Sequence, residues 1–318
     1  MQLVSANRRH FLVHSLATSF GTIAATQTCS CPASSDARTG SFIDSHVHVW
    51  TDDVGQYPLA RDYRVEDMRP ARFTPQDLLT HASPCGVSRI VLIQMSYYGF
   101  DNAYMLACIQ KHPDTFVGVA VIDPEQAHVA DTMRQMKKQR VHGFRLHLPP
   151  GTPAQYERWL GRTGVQTMWR IGAETRQAMC LLINANALPV VDGLCQQYPE
   201  TPVVIDHMAR IGIDGSIQST DVENLLRLAR HRQTFVKVSA FYALGKKRSP
   251  YTDLAGLIRQ LRDAYGAERL MWASDCPFQV VDGHNYRDSI DLISRRLDFL
   301  TSSDQEYLLG KTAQSVYF

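Results

Sequence analysis

The 318-residue sequence lacks several features that would define its class at once. No apolar run reaches the ~18 residues that a membrane-spanning helix needs. None of its seven cysteines forms a CxxC pair, so there is no sign of a zinc ribbon or a dense disulfide framework. No internal repeat is visible, and no glycine-rich phosphate loop follows an apolar run. These absences argue against an integral membrane protein, a small disulfide scaffold, a repeat array and a P-loop enzyme.

An excess of one charge is also missing. The chain has 33 basic and 31 acidic residues, and residues 41–318 carry 30 of each. A neutral body gives no electrostatic reason to expect nucleic acid or an anionic membrane as a partner. Hydrophobic content of 44% and charged content of 20% are typical of a globular domain, and the length allows a sizeable core.

The N-terminal segment differs from the rest. "NRRHFL" (residues 7–12) places Arg8 and Arg9 before an apolar stretch that is followed by small and polar residues. That order is typical of a secretory signal, and the arginine pair indicates the twin-arginine route. We therefore expect residues 1–40 to be a signal and spacer read by the export machinery, and the protein to be periplasmic or exported. A cytoplasmic protein with a short N-terminal tail is the alternative.

Eight short runs rich in β-branched residues alternate with stretches of helical spacing. Strands that alternate with helices indicate a parallel sheet. Eight of them in about 275 residues fit a single (β/α)8 TIM barrel over residues 41–318. A doubly wound open sheet is the alternative. The predicted strands are residues 42–47, 89–95, 116–122, 142–148, 179–185, 202–207, 234–240 and 269–275.

Polar residues collect at the carboxyl ends of these runs, where barrel enzymes carry their active sites. His46 and His48 end the first run two residues apart, so alternation places both on the same face. His207 ends the sixth run and Asp275 the eighth. Other polar residues at run ends are Gln94, Arg145, His147, Lys237 and Ser239.

Two chemistries fit three imidazoles and a carboxylate at one barrel mouth. His46, His48, His207 and Asp275 have the donor atoms to hold one divalent metal, such as zinc, with a position open for water or substrate. Without a metal, Asp275 could act as a general base while the histidines stabilise charge or carry protons. The spacing alone leaves both open.

Three segments resemble the amidohydrolase superfamily. "IDSHVHVW" is similar to its first-strand HxH signature, "VVIDHMA" to its sixth-strand histidine and "MWASDCPF" to its eighth-strand aspartate. "FVGVAVIDP", "VHGFRLHLP" and "VKVSAFY" follow in the order of the amidohydrolase-related branch that includes pyrone-dicarboxylate and fucono-lactone hydrolases. The resemblance covers residues 42–318.

The resemblance implies roles for particular residues. His46, His48 and His207 would be metal ligands or catalytic histidines, and Asp275 a ligand and the general base. Arg145 would bind a substrate carboxylate, because its planar guanidinium donates two parallel hydrogen bonds. Residues in the substrate-contacting loops would be Tyr97, Asn102, His147 and Tyr242.

The sequence also departs from the two-metal members of the superfamily. Those enzymes carry a bridging lysine or carboxylate on strand four and a histidine on strand five. Here strand four offers Arg145, and strand five offers Asn184 and no histidine. We therefore expect one metal, most simply zinc, or a metal-free site.

Taken together, these features predict a hydrolase that opens a cyclic ester carrying a carboxylate or sugar hydroxyls. A metal-dependent decarboxylase of the same superfamily is the first alternative. A non-catalytic periplasmic protein that binds a small carboxylate is the second. The sequence predicts no oligomeric state.

Overall fold

The computed structural model describes residues 42–318. Eight strands form one sheet in chain order, with parallel pairing from the first to the eighth. The predicted signal segment, residues 1–40, lies outside the described residues. The strands are β1 (Phe42–Val47), β2 (Val87–Ile93), β3 (Phe116–Ala120), β4 (Val141–His147), β5 (Ala178–Leu182), β6 (Val203–Ile205), β7 (Thr234–Val238) and β8 (Leu270–Trp272).

Helices follow every strand, which gives the (β/α)8 order. Helix α1 (Pro75–Ala82) begins after Thr74, whose hydroxyl accepts a hydrogen bond from Asp77 N at 3.3 Å, a standard N-cap. Two π-helical stretches, Leu292–Arg296 and Tyr307–Lys311, extend the ninth and tenth helices. The α-helices are α1 (Pro75–Ala82), α2 (Ala103–Lys111), α3 (Val129–Lys138), α4 (Pro153–Leu160), α5 (Thr163–Thr175), α6 (Leu188–Gln197), α7 (Ser219–Arg227), α8 (Ala255–Tyr265), α9 (Tyr286–Asp291), α10 (Ser302–Glu306) and α11 (Thr312–Tyr317).

The sheet closes on itself between β1 and the residues after β8. Asp275 N donates to His46 O at 2.9 Å, and His48 N donates to Cys276 O at 2.9 Å. These hydrogen bonds join the first and last strands at their carboxyl ends. The closure therefore brings His46, His48 and Asp275 side by side at the mouth of the barrel.

Apolar side chains form two cores, one between the strands and the helices and one in the lumen of the barrel. Outward-facing strand residues such as Val47, Phe144 and Val236 pack against the helices in the larger core cluster. A smaller cluster, which includes Ile43 and Val91, fills the lumen. This alternation is what the parity of the apolar positions predicted.

The C-terminal helix closes the lower end of the lumen. Ala313 and Tyr317 of α11 belong to the lumen cluster, and both are fully buried. The Tyr317 hydroxyl lies 3.3 Å from Cys180 Sγ on β5. The site at the upper end therefore lies above a packed floor.

The predicted TIM barrel is confirmed, but every strand after β1 ends earlier than predicted. β6 stops at Ile205 and β8 at Trp272, so His207 and Asp275 lie beyond the strand ends. The five cysteines of the described residues are all buried and unpaired, in agreement with a packing role. Within residues 42–318, no helix has the length and apolarity to cross a membrane.

Candidate active site

His46, His48 and Asp275 bring three ligand atoms to one point at the barrel mouth. The Nε2 atoms of the two histidines are 3.3 Å apart. Oδ1 of Asp275 lies 3.5 Å from Nε2 of His46 and 3.6 Å from Nε2 of His48. All three side chains are almost completely buried. His207 adds Nε2 at 3.7 Å from Oδ2 of Asp275, so the structure brings together the four residues predicted from the sequence.

Hydrogen bonds to the far ring nitrogens orient two of these histidines. Nδ1 of His48 is 2.9 Å from Ile93 O, which only accepts, so Nδ1 carries the proton and Nε2 a lone pair. Nδ1 of His207 is 2.8 Å from the hydroxyl of Ser239, which in turn donates to Lys237 O at 3.4 Å. That chain favours an Nδ1 proton on His207 as well, with its Nε2 lone pair facing Asp275.

Asp275 has one occupied and one free oxygen. Tyr242 donates a 2.7 Å hydrogen bond to Oδ2, whereas Oδ1 is buried and has no hydrogen-bond partner among the described residues. Burial raises the pKa of Asp275 to about 7, although Tyr242 and Arg145 pull it down. A carboxyl group with that pKa is suited to accept and return a proton near neutral pH.

The donor set fits a divalent metal. Two imidazole nitrogens and Oδ1 of Asp275 lie 3.3–3.6 Å apart, close to the edge length of a tetrahedron with bonds of about 2.1 Å. The free Oδ1 facing an imidazole lone pair is an arrangement that a cation stabilises. His46, His48 and Asp275 would therefore hold the metal, with His207 beside them.

The three histidines are neutral, as metal ligation requires. Burial lowers the pKa of His207 to about 3. Burial also holds the pKa of His46 well below its ordinary value, and the charge of Lys237 adds to this. The pKa of His48 is lowered well below its ordinary value by burial and then by Arg145.

A second buried layer contains Asp206, which sequence reasoning did not single out, and Lys237, which it noted at the end of the seventh run but gave no role. Both side chains are fully buried, and Nζ of Lys237 is 3.1 Å from Oδ1 of Asp206. Burial alone would raise the pKa of Asp206, but Lys237 and His46 hold it well below its ordinary value. Oδ1 of Asp206 also lies 3.4 Å from Nδ1 of His46. The signal was one acid and one base in otherwise apolar strand runs, because a buried charge needs a partner.

Left-handed backbone conformations after three of the strands turn side chains into the mouth of the barrel. After β6 the backbone turns left-handed from His207 to Arg210, with φ between 51° and 59°. Ala240 after β7 and Asp275 after β8 have φ of 57° and 61°. Such conformations cost about 1–2 kcal/mol per non-glycine residue and often occur at functional sites. The first turn explains how adjacent Asp206 and His207 both reach the interior.

Arg145 and His147 lie at the mouth, on inward-facing positions of β4. Nη1 of Arg145 is 3.5 Å from Nε2 of His48, and Nε is 3.8 Å from Oδ2 of Asp206. The Arg145 side chain is partly exposed, and His147 is exposed at the end of the strand. Both therefore face the space above the catalytic cluster, and their predicted substrate contacts stay predictions.

Tyr97 and Asn102 hold loops around the mouth. The Tyr97 hydroxyl donates to Asp67 O at 3.0 Å. The Asn102 amide donates to Phe100 O and Val121 O at 2.9 and 2.8 Å and accepts from Val121 N at 3.0 Å. Asn102 precedes α2 but makes no capping hydrogen bond. Their polar groups are thus engaged with the backbone, and the predicted substrate contacts are untested.

The fold and site together define the class of protein. The chain belongs to the amidohydrolase family, which residues 43–318 match. The resemblance seen in the HxH, DH and SD segments is confirmed, and the protein is a hydrolase of this family.

Three relatives of this chain are named as lactone or pyrone hydrolases. The chain is 24% identical over 274 residues to a 4-sulfomuconolactone hydrolase of Rhizobium radiobacter, covering 83% of this chain and 85% of that one. It is 25% identical over 249 residues to an L-fucono-1,5-lactonase of Burkholderia ambifaria, covering 76% and 82%. A 2-pyrone-4,6-dicarboxylate hydrolase of Comamonas testosteroni is 22% identical over 262 residues, covering 78% and 80%.

Solved structures share the fold. An amidohydrolase of Burkholderia multivorans with bound zinc has a TM-score of 0.70 and 19% identity, covering 87% of this chain and 98% of that chain. At that identity the likeness concerns the fold alone.

Proposed function

We propose that this protein opens a lactone by hydrolysis, with Asp275 as the group that moves the proton. The observation that carries the proposal is Oδ1 of Asp275, which is buried, free and 3.5–3.6 Å from two imidazole nitrogens. The lactone hydrolases among the relatives support the choice of a cyclic ester.

Asp275 would act first as base and then as acid. Its free oxygen takes a proton from water as the water oxygen attacks the lactone carbonyl carbon. When the ring C–O bond breaks, the same carboxyl group returns the proton to the departing ring oxygen. The product is an open-chain hydroxy acid, or its keto form where the released oxygen is enolic. Tyr242 keeps the carboxyl group in one orientation through its hydrogen bond to Oδ2.

His46, His48 and His207 would form the charge-stabilising wall of the site. A divalent metal held by His46, His48 and Asp275, which we propose to be zinc, would polarise the carbonyl and lower the pKa of water. The neutral imidazoles keep their lone pairs for this purpose.

Arg145 would bind the substrate and set its orientation. Its guanidinium is partly exposed at the mouth beside His48, where it can donate two hydrogen bonds to a carboxylate. We therefore propose that the substrate is a carboxylated lactone rather than a neutral sugar lactone. His147 at the rim would be a further contact.

A lactone panel with product analysis tests this function. Purified protein, with and without added zinc, is assayed against carboxylated unsaturated lactones, sugar lactones and aromatic acids, and products are identified by NMR. We expect ring opening, with one acid group released per turnover. Release of carbon dioxide would instead show the decarboxylase, and saturable binding without turnover the non-catalytic binding protein.

We also propose that the protein is exported through the twin-arginine route, on the basis of Arg8 and Arg9. Cell fractionation of the wild type and of R8K/R9K tests this. The wild type is expected in the periplasm and the variant in the cytoplasm; equal distribution would contradict export.

A further inference from the structure

Lys237 lies inside the barrel directly beneath the catalytic cluster. Its side chain is fully buried. Its Nζ is 3.1 Å from Asp206 Oδ1, 3.1 Å from His46 Nδ1 and 5.5 Å from the centre of the Tyr317 ring. The ammonium group therefore has a carboxylate, an imidazole and an aromatic face around it, which accounts for its burial.

The consequence for His46 is that one ring nitrogen faces both a donor and an acceptor. Lys237 can only donate to Nδ1, whereas Asp206, 3.4 Å from the same nitrogen, can only accept from it. Each neighbour favours a different position of the imidazole proton. His46 differs in this respect from His48, whose proton is fixed on Nδ1 by Ile93 O.

The two tautomers of His46 suit two states of the site. With the proton on Nδ1, donated to Asp206, Nε2 carries a lone pair. It then faces the lone pair of His48 and Oδ1 of Asp275. Three acceptors converging on one point need a cation between them. With the proton on Nε2, His46 donates to His48 or Asp275 and accepts from Lys237 through Nδ1. The ring nitrogens of His46 then both have hydrogen-bond partners without a metal.

We propose that Lys237 and Asp206 form a tautomer switch for His46 and so set how tightly the site holds a divalent metal. Asp206 stabilises the tautomer that binds the metal, as carboxylates do behind metal-bound histidines. Lys237 stabilises the tautomer of the metal-free site, because its ammonium can only donate to Nδ1 of His46, 3.1 Å away. The number of protons on His46 is the same in both states. This role is independent of which substrate is hydrolysed.

Zinc affinity of two variants tests the switch, because their effects have opposite signs. Dissociation constants are measured by competition with a chromophoric chelator, on protein stripped of metal. K237M is expected to bind zinc about tenfold or more tightly than the wild type, and D206N about tenfold or more weakly, the range seen for groups behind metal ligands. Shifts in the same direction, or no shift in either, would overturn the proposal.

The double variant K237M/D206N keeps the test decisive if one of the single variants does not fold. Either single change leaves a buried charge without its partner, which can prevent folding, whereas the double change leaves a neutral pair of similar shape. We expect its zinc affinity to lie between those of the single variants. If D206N does not fold, its effect is read as the difference between K237M and the double variant, and that difference must still be a weakening.

Histidine NMR separates a tautomer switch from a simple change of local charge. In ¹⁵N-histidine-labelled, metal-free wild type, the proton of His46 is expected on Nε2, and in metal-free K237M on Nδ1. The His46 signals are assigned from the spectrum of H46Q. If His46 shows the same tautomer in both proteins, charge alone accounts for any affinity change and the switch is wrong.

Discussion

The hydroxyl group of Tyr242 donates a 2.7 Å hydrogen bond to Oδ2 of Asp275. Tyr242 follows β7 and Asp275 follows β8, so this bond joins two neighbouring loops at the barrel mouth. Burial, and then the negative charge of Asp275, holds the pKa of Tyr242 well above its ordinary value, so the phenol stays a donor. The bond leaves Oδ1 as the one oxygen of Asp275 that can take a proton from water.

Y242F tests that relationship. Loss of a hydrogen bond to a charged group costs about 1.5–3 kcal/mol, so kcat/KM should fall about 10- to 100-fold. Y265F is a matched control, since the buried hydroxyl of Tyr265 donates to Leu225 O at 2.6 Å, away from the site. The control should lose about 1 kcal/mol of stability and keep its activity. Equal activity in Y242F and wild type would remove Tyr242 from the mechanism.

R145K tests carboxylate recognition. Lysine keeps the positive charge but loses the planar pair of donors. We expect KM for a carboxylated lactone to rise about tenfold or more, which corresponds to about 1.4 kcal/mol. KM for an uncharged lactone should change much less. Steady-state kinetics on the two substrates measure the difference. Equal effects on both would mean that Arg145 supports the geometry of the site and does not bind the substrate carboxylate.

N102A distinguishes loop anchoring from substrate contact. The Asn102 amide makes three hydrogen bonds to the backbone of Phe100 and Val121. Because their removal leaves buried backbone groups unpaired, the free energy of unfolding should fall by about 2 kcal/mol. Urea titration gives that value, and kinetics give KM. A higher KM with unchanged stability would instead support the substrate contact predicted from the sequence.

Much of the site could be predicted from the sequence because strand parity and order carry it. His46, His48 and Arg145 are on or directly after regular strands, where every second residue faces inward. Asp206 could not be found in this way, since alternation from His207 points it outward. It reaches the interior because the strand stops at Ile205 and the backbone becomes left-handed, which no pattern of apolar residues encodes.

Lys237 shows a different limit of sequence reasoning. Its inward parity was visible, but its partners Asp206 and His46 are 31 and 191 residues away in the sequence. Contacts of that kind depend on how far each side chain extends into the lumen. They become evident only when the whole barrel is closed.

D288N tests how a charged anchor supports a loop beside the mouth. Asp288 accepts from Ser249 at 2.7 Å and pairs with Arg296 at 3.1 Å. Burial raises its pKa, but the hydrogen bonds from Ser249, Asn285 and Arg296 outweigh this and lower it from 3.8. The depressed pKa adds stability above pH 3.8 that is lost as the pH falls through the folded-state pKa.

The wild type should therefore exceed D288N in stability by about 1 kcal/mol at pH 7. The difference should shrink as the pH is lowered below the pKa of the carboxyl group in the unfolded chain. Urea unfolding of both proteins at several pH values gives the comparison. A difference that stays constant down to acid pH would show that the charge of Asp288 is not what stabilises the loop.

The most direct test of the central claim is the activity of D275N on a lactone that the wild type opens. Asparagine has nearly the same shape but cannot accept a proton from water. We expect kcat/KM to fall by about 10²–10⁴-fold, while circular dichroism and the unfolding transition stay close to wild type. Ring opening at the wild-type rate by a folded D275N would contradict the account.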